Sequence, residues 1–160
     1  DYVDGNVIYL DSWGMKTTDH LKKIFSINNI IIPEYDDNVY KENKNNEEYG
    51  SCMRRGTFLE ILKSENIEDM SLIYADFTGT YEKFTKPLLK YLEINNNKVK
   101  SGMVLGFTWS NNGVGVKNNR KKIDREIGAY MYKNGYEEID MCEYDYGEGG
   151  CMNVMFIRKL

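Results

Sequence analysis

Short apolar runs alternate with segments of helical periodicity along most of the chain. The first run, residues 7–10 (VIYL), ends in Asp11 and leads through a Gly-containing turn at residues 12–14 into the next segment. Apolar positions then recur at helical spacing at Leu21, Ile24 and Phe25. A run that ends in an acid and crosses a Gly turn into a capped helix is typical of the first strand-helix unit of nucleotide-binding proteins.

A second run, residues 30–33 (IIIP), ends in Glu34, which follows Asp11 by 23 positions. Nucleotide-binding folds place an acid that binds the ribose hydroxyls at an offset of about 20 residues. The spacing therefore predicts that Glu34 binds a ribose, with Asp36 as the alternative. Two simpler roles stay open, because Asp11 is also suited to capping the first helix and Glu34 to closing a strand.

Three further apolar runs, residues 51–54, 70–75 and 102–109, continue the alternation of strands and helices. Thr57 is expected to cap the helix after the first of these runs, and Pro87 to lie in the first turn of the helix after the second. Repeated strand-helix units of this kind predict parallel strands joined by right-handed crossovers.

The last portion of the chain changes character. Residues 136–144 and 151–157 have near-alternating apolar positions around a Gly-rich turn at residues 147–150, which predicts an antiparallel hairpin. The fold class is therefore α/β: a three-layer, Rossmann-like mixed sheet, mostly parallel with a C-terminal antiparallel hairpin. A length of 160 residues favours a single domain over residues 1–160.

A basic cluster follows the run at residues 102–109. It lies in a Gly/Asn loop over residues 110–119 and in the helix after it, which is expected to end near Asn134. Its members are Lys117, Arg120, Lys121, Lys122 and Arg125. Basic side chains at a helix start oppose the helix dipole, which favours a bound anion such as phosphate. A solvated helix start is the alternative.

Composition narrows the function classes. The chain is 41% hydrophobic with a net charge of −4, and no apolar stretch approaches the ~20 residues that span a membrane. Three widely spaced cysteines and a single histidine indicate neither a zinc site nor a disulfide framework. We therefore expect an intracellular, cytoplasmic protein without a metal or a membrane partner. Because the chain begins at Asp1, it is expected to be an excised or processed domain.

The order of segments over residues 6–159 resembles the class I S-adenosylmethionine-dependent methyltransferases. Leu10-Asp11-Ser12-Trp13-Gly14 stands at the family's first, cofactor-binding motif, and Glu34 stands at the acid of its second strand. Gly56-Thr57-Phe58 stands near the adenine-side turn, and Asp76-Phe77-Thr78-Gly79 stands at the motif after the fourth strand. Two departures are evident: the acid-x-Gly-x-Gly pattern keeps one glycine, and the Asp-Pro-Pro-Tyr motif of amino-methylating enzymes is absent.

The resemblance implies S-adenosylmethionine as cofactor. Asp11 would then take the ammonium of its methionine part, Glu34 the ribose hydroxyls, and Tyr35 or Phe58 would flank the adenine. The full set of implied cofactor-binding residues is Asp11, Ser12, Gly14, Glu34, Tyr35, Thr57 and Phe58.

The resemblance also implies an acceptor site at the end of the fourth strand. Its catalytic residues would be Asp76, Thr78 and Tyr81, with Asp76 orienting the acceptor and Tyr81 stacking on it or donating a hydrogen bond. Organisation of the turn by an Asx hydrogen bond is the alternative for Asp76.

The expected function is an S-adenosylmethionine-dependent methyltransferase acting on nucleic acid through the basic cluster. The alternative is a catalytically inactive methyltransferase-like module that serves as a binding or scaffold subunit, since the first motif lacks glycines. A nicotinamide-dependent enzyme ranks last, because G-x-G-x-x-G is absent. A protein partner or further domain is expected for a large substrate.

Overall fold

The computed structural model describes residues 3–11, 15–77, 79–110, 116–145 and 151–160. Within these residues the chain forms seven strands: β1 (Asn6–Tyr9), β2 (Ile30–Glu34), β3 (Met53–Arg55), β4 (Met70–Ala75), β5 (Val104–Ser110), β6 (Tyr136–Asp145) and β7 (Cys151–Lys159). The same residues form five α-helices: α1 (Lys16–Leu21), α2 (Asp37–Lys44), α3 (Phe58–Ser64), α4 (Lys86–Ile94) and α5 (Val116–Asn134). A π-helical turn, Tyr81–Thr85, leads directly into α4.

The described strands form a sheet in the order β3-β2-β1-β4-β5-β7-β6. β1 pairs in parallel with β2 and β4, and β2 pairs in parallel with β3. β7 runs antiparallel to both β5 and β6 and lies between them. The mixed α/β sheet with a reversed C-terminal hairpin is therefore confirmed.

The chain divides into two compact units, Asp1–Tyr74 and Ala75–Leu160, called here the N-terminal and C-terminal units. The core of the N-terminal unit is built on β1, β2 and β3 and includes Val7, Tyr9, Ile30, Ile32 and Met53. The single domain expected from the length stays a prediction.

The C-terminal unit has its core on β5. Leu105, Phe107 and Trp109 alternate along this strand and are fully buried, and the rings of Phe107 and Trp109 stack with centroids 5.7 Å apart. Leu92 of α4 and Ile127 of α5 are also buried. The period-2 pattern of β5 and the helical spacing of the α5 apolar positions explain this core.

Two element boundaries differ from the expectations. α5 begins at Val116, so the segment up to Asn119 that was expected to lie in a loop is partly helical, and all five basic residues of the cluster lie in α5. Four of the six residues that precede Ile123, at positions 117–122, are Lys or Arg, which are good helix formers and favour a start ahead of the apolar stripe. The third strand covers Met53–Arg55, and a 3₁₀ turn, Gly50–Cys52, precedes it.

α1 is also shorter than its apolar pattern predicts and ends at Leu21. The backbone N–H groups of Ile24 and Phe25 both donate to the carbonyl of Leu21, at 2.9 and 2.8 Å. This tight turn closes the helix, leaving Ile24 47% exposed while Phe25 is buried. The predicted end of α5 is confirmed at Asn134, where Gly135 follows with a φ of 68° that favours glycine.

Candidate functional site

Three parallel strands of the N-terminal unit end at one edge, which carries most of the predicted cofactor residues. In the pairing of β1 with β2, Ile8 lies opposite Ile31. Asp11 and Glu34 each follow these paired positions by three residues; Glu34 is the last residue of β2, and Asp11 comes two residues after the end of β1. Glu34 in turn lies opposite Arg55 of β3. We call the carboxyl ends of β1, β2 and β3 the N-terminal edge.

The carboxylate of Asp11 is held by the first turn of α1. Its Oδ2 atom accepts hydrogen bonds from the backbone N–H of Thr18 at 2.8 Å and from the Thr18 hydroxyl at 2.7 Å. The Thr18 oxygen accepts a hydrogen bond from the Tyr9 hydroxyl at 2.7 Å, and burial raises the pKa of Tyr9 well above its usual value. Asp11 therefore stabilises the start of α1, as the capping alternative predicts.

Met15 forms the N-terminal boundary of α1 in a left-handed conformation. Its φ is 45° and its ψ is 30°, a region that L-residues other than Asn and Asp rarely adopt. The side chain is buried against the core of β1 and β2. Ser12 and Gly14, the other residues predicted for this turn, lie outside the described residues.

Glu34 ends β2 at the centre of the N-terminal edge. Its Oε1 atom accepts a hydrogen bond from the backbone N–H of Asp36 at 2.8 Å. Asp36, the predicted alternative, accepts hydrogen bonds from two amides in the first turn of α2 and so caps that helix. Asp37 forms an ion pair with Arg55 at 2.7 Å. Glu34 therefore differs from Asp36 and Asp37. In the described part of the chain, its carboxylate neither caps a helix nor forms an ion pair.

Thr57 caps α3, which confirms the expectation for its local role. Its hydroxyl oxygen accepts a hydrogen bond from the backbone N–H of Glu60 at 3.4 Å. In return, Oε2 of Glu60 accepts hydrogen bonds from the Thr57 hydroxyl at 2.6 Å and from the Thr57 backbone N–H at 2.9 Å. These hydrogen bonds hold the pKa of Glu60 below its usual value. Of the two rings predicted to flank an adenine, Phe58 is buried in the protein, whereas Tyr35 is 77% exposed.

In the C-terminal unit, the loop that follows β4 is fixed by hydrogen bonds to β5. The Thr108 hydroxyl donates to the carbonyl of Phe77 at 2.8 Å, and the backbone N–H of Ser110 donates to the carbonyl of Gly79 at 2.9 Å. The ring of Phe77 stacks on Phe84 with centroids 5.2 Å apart. The backbone on both sides of the loop is thereby held in place.

Asp76 is the first residue of this loop and is half-buried. Its carboxylate has no hydrogen-bond or ion-pair partner among the residues that the structure describes. Tyr81 is buried, and burial together with the negative charge of Glu126 raises the pKa of its hydroxyl well above the usual value. Of the predicted catalytic residues, Asp76 is therefore the accessible one, and Thr78 lies outside the described residues.

Two residues of the predicted basic cluster are neutralised by acids. Arg120 forms an ion pair with Glu143 of β6 at 2.5 Å. The Lys122 ammonium lies 3.5 Å from a carboxylate oxygen of Glu82 and 3.7 Å from one of Glu126. These two cations join α5 to neighbouring elements of the C-terminal unit, so they are less available to a phosphate than the sequence implies.

Lys121 and Arg125 differ from these two residues. Both are exposed, and neither has an acidic partner in the described part of the chain. The side chain of Lys117 lies outside the described residues. The structure therefore separates the predicted cluster into ion-paired and unpaired members.

The described residues offer no grouping of three or more His, Cys, Asp or Glu side chains that could hold a metal ion. Cys52, Cys142 and Cys151 form no disulfide within the described residues, and the Cys151 thiol donates a hydrogen bond to Oε1 of Glu143 at 2.6 Å. No helix in the described ranges is both long and apolar enough to cross a membrane.

Known proteins match this chain in structure. No protein-family profile and no curated protein sequence matches it. Fibrillarin of Methanococcus jannaschii, a pre-rRNA processing protein, superposes with a TM-score of 0.62 at 17% identity, over 99% of this chain and 69% of its own. The B. subtilis m1A22 tRNA methyltransferase gives a TM-score of 0.61 at 18% identity, over 98% of this chain and 61% of its own.

A Streptococcus pneumoniae protein solved in complex with S-adenosyl-L-methionine also superposes, with a TM-score of 0.61 at 13% identity. The match covers 99% of this chain and 67% of that protein. The chain has the fold of class I S-adenosylmethionine-dependent methyltransferases. It spans about two thirds or less of the length of these three proteins, from 61% to 69%.

The N-terminal edge of this methyltransferase fold fits the cofactor in its acids and in its exposed ring. Glu34 supplies a carboxylate beside a neighbouring strand end, and Tyr35 supplies an accessible aromatic face. The fit is weaker at the first turn, where Met15 stands in a left-handed conformation and Asp11 is bonded to Thr18. The described residues of this edge thus suit a ribose and a base more fully than they suit the methionine part.

Sequence reasoning missed three residues of this edge. Thr18 binds Asp11, Arg55 lies opposite Glu34, and Met15 takes the strained position before α1. The Arg55 position carried a signal, since it directly precedes the Gly56-Thr57 turn at a strand end. Nothing in the local sequence distinguishes Thr18 from its neighbour Thr17.

Proposed function

We propose that this protein is an S-adenosylmethionine-dependent methyltransferase that acts on nucleic acid. The observation that carries the proposal is the position of Asp11 and Glu34, which each follow a paired residue of two neighbouring parallel strands by three positions. Open α/β sheets bind their ligands outside the carboxyl ends of the strands, and a ribose needs a carboxylate there.

Each residue of the N-terminal edge has a proposed role. The Glu34 carboxylate accepts hydrogen bonds from the ribose hydroxyls, and the exposed ring of Tyr35 stacks on the adenine. Asp11 contributes negative charge for the ammonium group. Ser12, Gly14, Thr57 and Phe58 are the further residues proposed to bind the cofactor.

The cofactor supplies, when bound, a methyl group already activated by a sulfonium, so the protein mainly binds and orients. Asp76 is proposed to orient an amino or hydroxyl acceptor, because its carboxylate is half-buried and unpaired within the described residues. Thr78 and Tyr81 are proposed to assist, with Tyr81 acting through its packing beside Glu126.

Nucleic acid is the proposed acceptor class. Two of the structural neighbours are named for work on RNA, a pre-rRNA processing protein and a tRNA methyltransferase. The unpaired cations of α5 supply positive charge in a chain whose net charge is −4. An intracellular location follows from this substrate class, and a protein partner or further domain is proposed to help hold a large substrate.

The proposal is tested first by calorimetric titration of S-adenosylmethionine and S-adenosylhomocysteine. Wild type is expected to bind with micromolar affinity, and Glu34→Gln to lose roughly ten-fold, the equivalent of about 1.4 kcal/mol. Asp37→Asn is the matched control, since Asp37, the first residue of α2, lies three positions after Glu34 but pairs with Arg55. Folded wild type that fails to bind either ligand would overturn the proposal, and equal loss in both variants would overturn the role of Glu34.

Methyl transfer is tested separately with a labelled methyl group and mixed RNA and DNA acceptors. Asp76→Asn is expected to keep cofactor binding and lose most of the transfer, whereas Asp140→Asn, at an exposed acid of β6, is expected to keep both. Cofactor binding by wild type without transfer to any nucleic acid would instead support the inactive, scaffold-like module.

A further inference from the structure

α5 differs in charge from the rest of the chain. It carries six basic and two acidic residues, although the chain as a whole has a net charge of −4. Three of the six cations are ion-paired: Arg120 with Glu143, Lys122 with Glu82 and Glu126, and Lys133 with Glu93. Among the side chains that the structure describes, the charge that remains for a partner lies on Lys121 and Arg125.

The unpaired cations lie on the outer face of α5. Lys121 and Arg125 are four residues apart, and Tyr132 follows seven residues later, so the three side chains share one face of the helix. The opposite face holds Ile127 and Tyr130, which are buried. We call Lys121, Arg125 and Tyr132 the α5 ridge.

Tyr132 is 92% exposed, the highest exposure among the large hydrophobic side chains described. The ring therefore contributes little to the core and presents both faces to solvent. Gly128 lies between Arg125 and Tyr132 on this face, and apart from its chain neighbours and the backbone of its own helix no atom lies within 4 Å of the place a Cβ would occupy. The ridge thus offers two cations, an open stretch and an accessible aromatic ring.

We propose that the α5 ridge binds single-stranded nucleic acid, with Lys121 and Arg125 contacting phosphates and Tyr132 stacking on an unpaired base. This deepens the proposed function, on whose acceptor class it rests. Cations beside an exposed aromatic ring are the elements by which proteins hold single strands, because a duplex keeps its base faces internal. The ridge is roughly 16 Å long at 1.5 Å per residue, the reach of a few nucleotides.

Asp124 gives the proposal a second consequence. It borders the ridge, one position before Arg125, and is exposed. An acid beside a phosphate-binding surface opposes a polyanion, so Asp124→Asn is expected to strengthen binding. A surface that is merely solvated would not respond in this direction.

The test is fluorescence anisotropy with a labelled single-stranded RNA of about 12 nucleotides, and with the duplex of the same sequence, in the absence of cofactor. Lys121→Ala/Arg125→Ala is expected to weaken single-strand binding and to reduce the salt slope by roughly 1.4, the value for two phosphates. Lys90→Ala/Lys100→Ala is the matched control, since both lysines are exposed in the same unit.

Tyr132→Ala is expected to weaken single-strand binding by roughly five-fold or more, and Tyr132→Phe to retain it, because stacking needs the ring and not the hydroxyl. Equal effects of Lys121→Ala/Arg125→Ala and Lys90→Ala/Lys100→Ala on single-strand binding, or no loss in Tyr132→Ala, would overturn the proposed role of the α5 ridge. Cofactor titration is a separate readout. If the protein binds RNA through the α5 ridge but does not bind S-adenosylmethionine, the proposed role of the ridge is supported and the proposed methyltransferase activity is overturned.

Discussion

The carboxylate of Asp11 accepts two hydrogen bonds from Thr18, one from its backbone N–H and one from its hydroxyl. The hydroxyl of Tyr9 donates to the same Thr18 oxygen, so one buried side chain joins the end of β1 to the start of α1. The acid that the sequence pattern assigns to a cofactor is thus also part of the fold. Loss of Asp11 is expected to affect stability and binding together.

Asp11→Ala is expected to lower the free energy of unfolding by roughly 2 kcal/mol. Two donors of Thr18 lose a charged acceptor, and a hydrogen bond to a charged group contributes about 1.5–3 kcal/mol. Urea denaturation measures the loss. Thr18→Val is the partner variant, and in the double variant the two losses should fall well short of additive. Full additivity would show that the two side chains do not act as one unit.

Met15 provides a test of backbone strain at the turn into α1. A left-handed conformation costs about 1–2 kcal/mol for an L-residue, and removal of a buried Met side chain costs about 2–5 kcal/mol. Met15→Gly loses the side-chain packing but relieves the backbone strain. Met15→Ala loses most of the side-chain packing and retains the backbone strain. Both variants are therefore expected to be destabilised, with alanine the less stable by roughly 1 kcal/mol.

The order of these two variants is the diagnostic result. At most positions glycine is less stable than alanine, because it has more conformational freedom in the unfolded chain. Equilibrium urea unfolding of both variants gives the order directly. A glycine variant less stable than the alanine variant would contradict the left-handed conformation of Met15.

Gly79→Ala tests the packing of the loop after β4. A Cβ at Gly79 would overlap the ring of Phe84, which also stacks on Phe77. The variant is expected to lose about 1–3 kcal/mol, because the ring must shift out of its packed position. In a Phe84→Leu background the same substitution should cost less. A double-mutant cycle by urea unfolding measures the difference, and an unchanged cost would exclude the contact.

The strands of this protein could be predicted because their local patterns are strong. Ile30, Ile31 and Ile32 are all buried, as expected of a continuous apolar run in a parallel strand, and the run ends at the predicted acid. The capping of α3 by Thr57 was equally local, since Glu60 stands three residues later. The fold class followed from the order of such segments.

The partners of the polar side chains could not be predicted in the same way. Glu82 and Lys122 are 40 positions apart in the chain, and only the packing of the C-terminal unit brings their charges together. From the sequence pattern alone, Lys122 was therefore expected to be available to an anion with the rest of the basic cluster. Similarly, the family's first motif favours Gly14 as the residue with a special backbone conformation in the turn before α1. Among the described residues of this turn, the left-handed conformation is found at Met15, a residue type that rarely takes it.

The buried tyrosines give the protein a predictable alkaline limit. Burial raises the pKa values of Tyr9, Tyr81, Tyr130 and Tyr136 above the value of about 10 that tyrosine has in an unfolded chain. Their contribution to stability is therefore complete below pH 10 or so and is lost as the pH rises beyond it, when the unfolded state alone releases these protons.

Tyrosinate absorbance and circular dichroism, followed together during alkaline titration, measure this effect. Part of the tyrosine absorbance is expected to change only when the secondary structure is lost. Tyr136→Phe should remove amplitude from that late phase, because the Tyr136 ring is buried and stacks on Tyr130. Loss of amplitude from the earlier phase instead would show that Tyr136 meets solvent in the folded protein, since an accessible hydroxyl needs no unfolding to lose its proton.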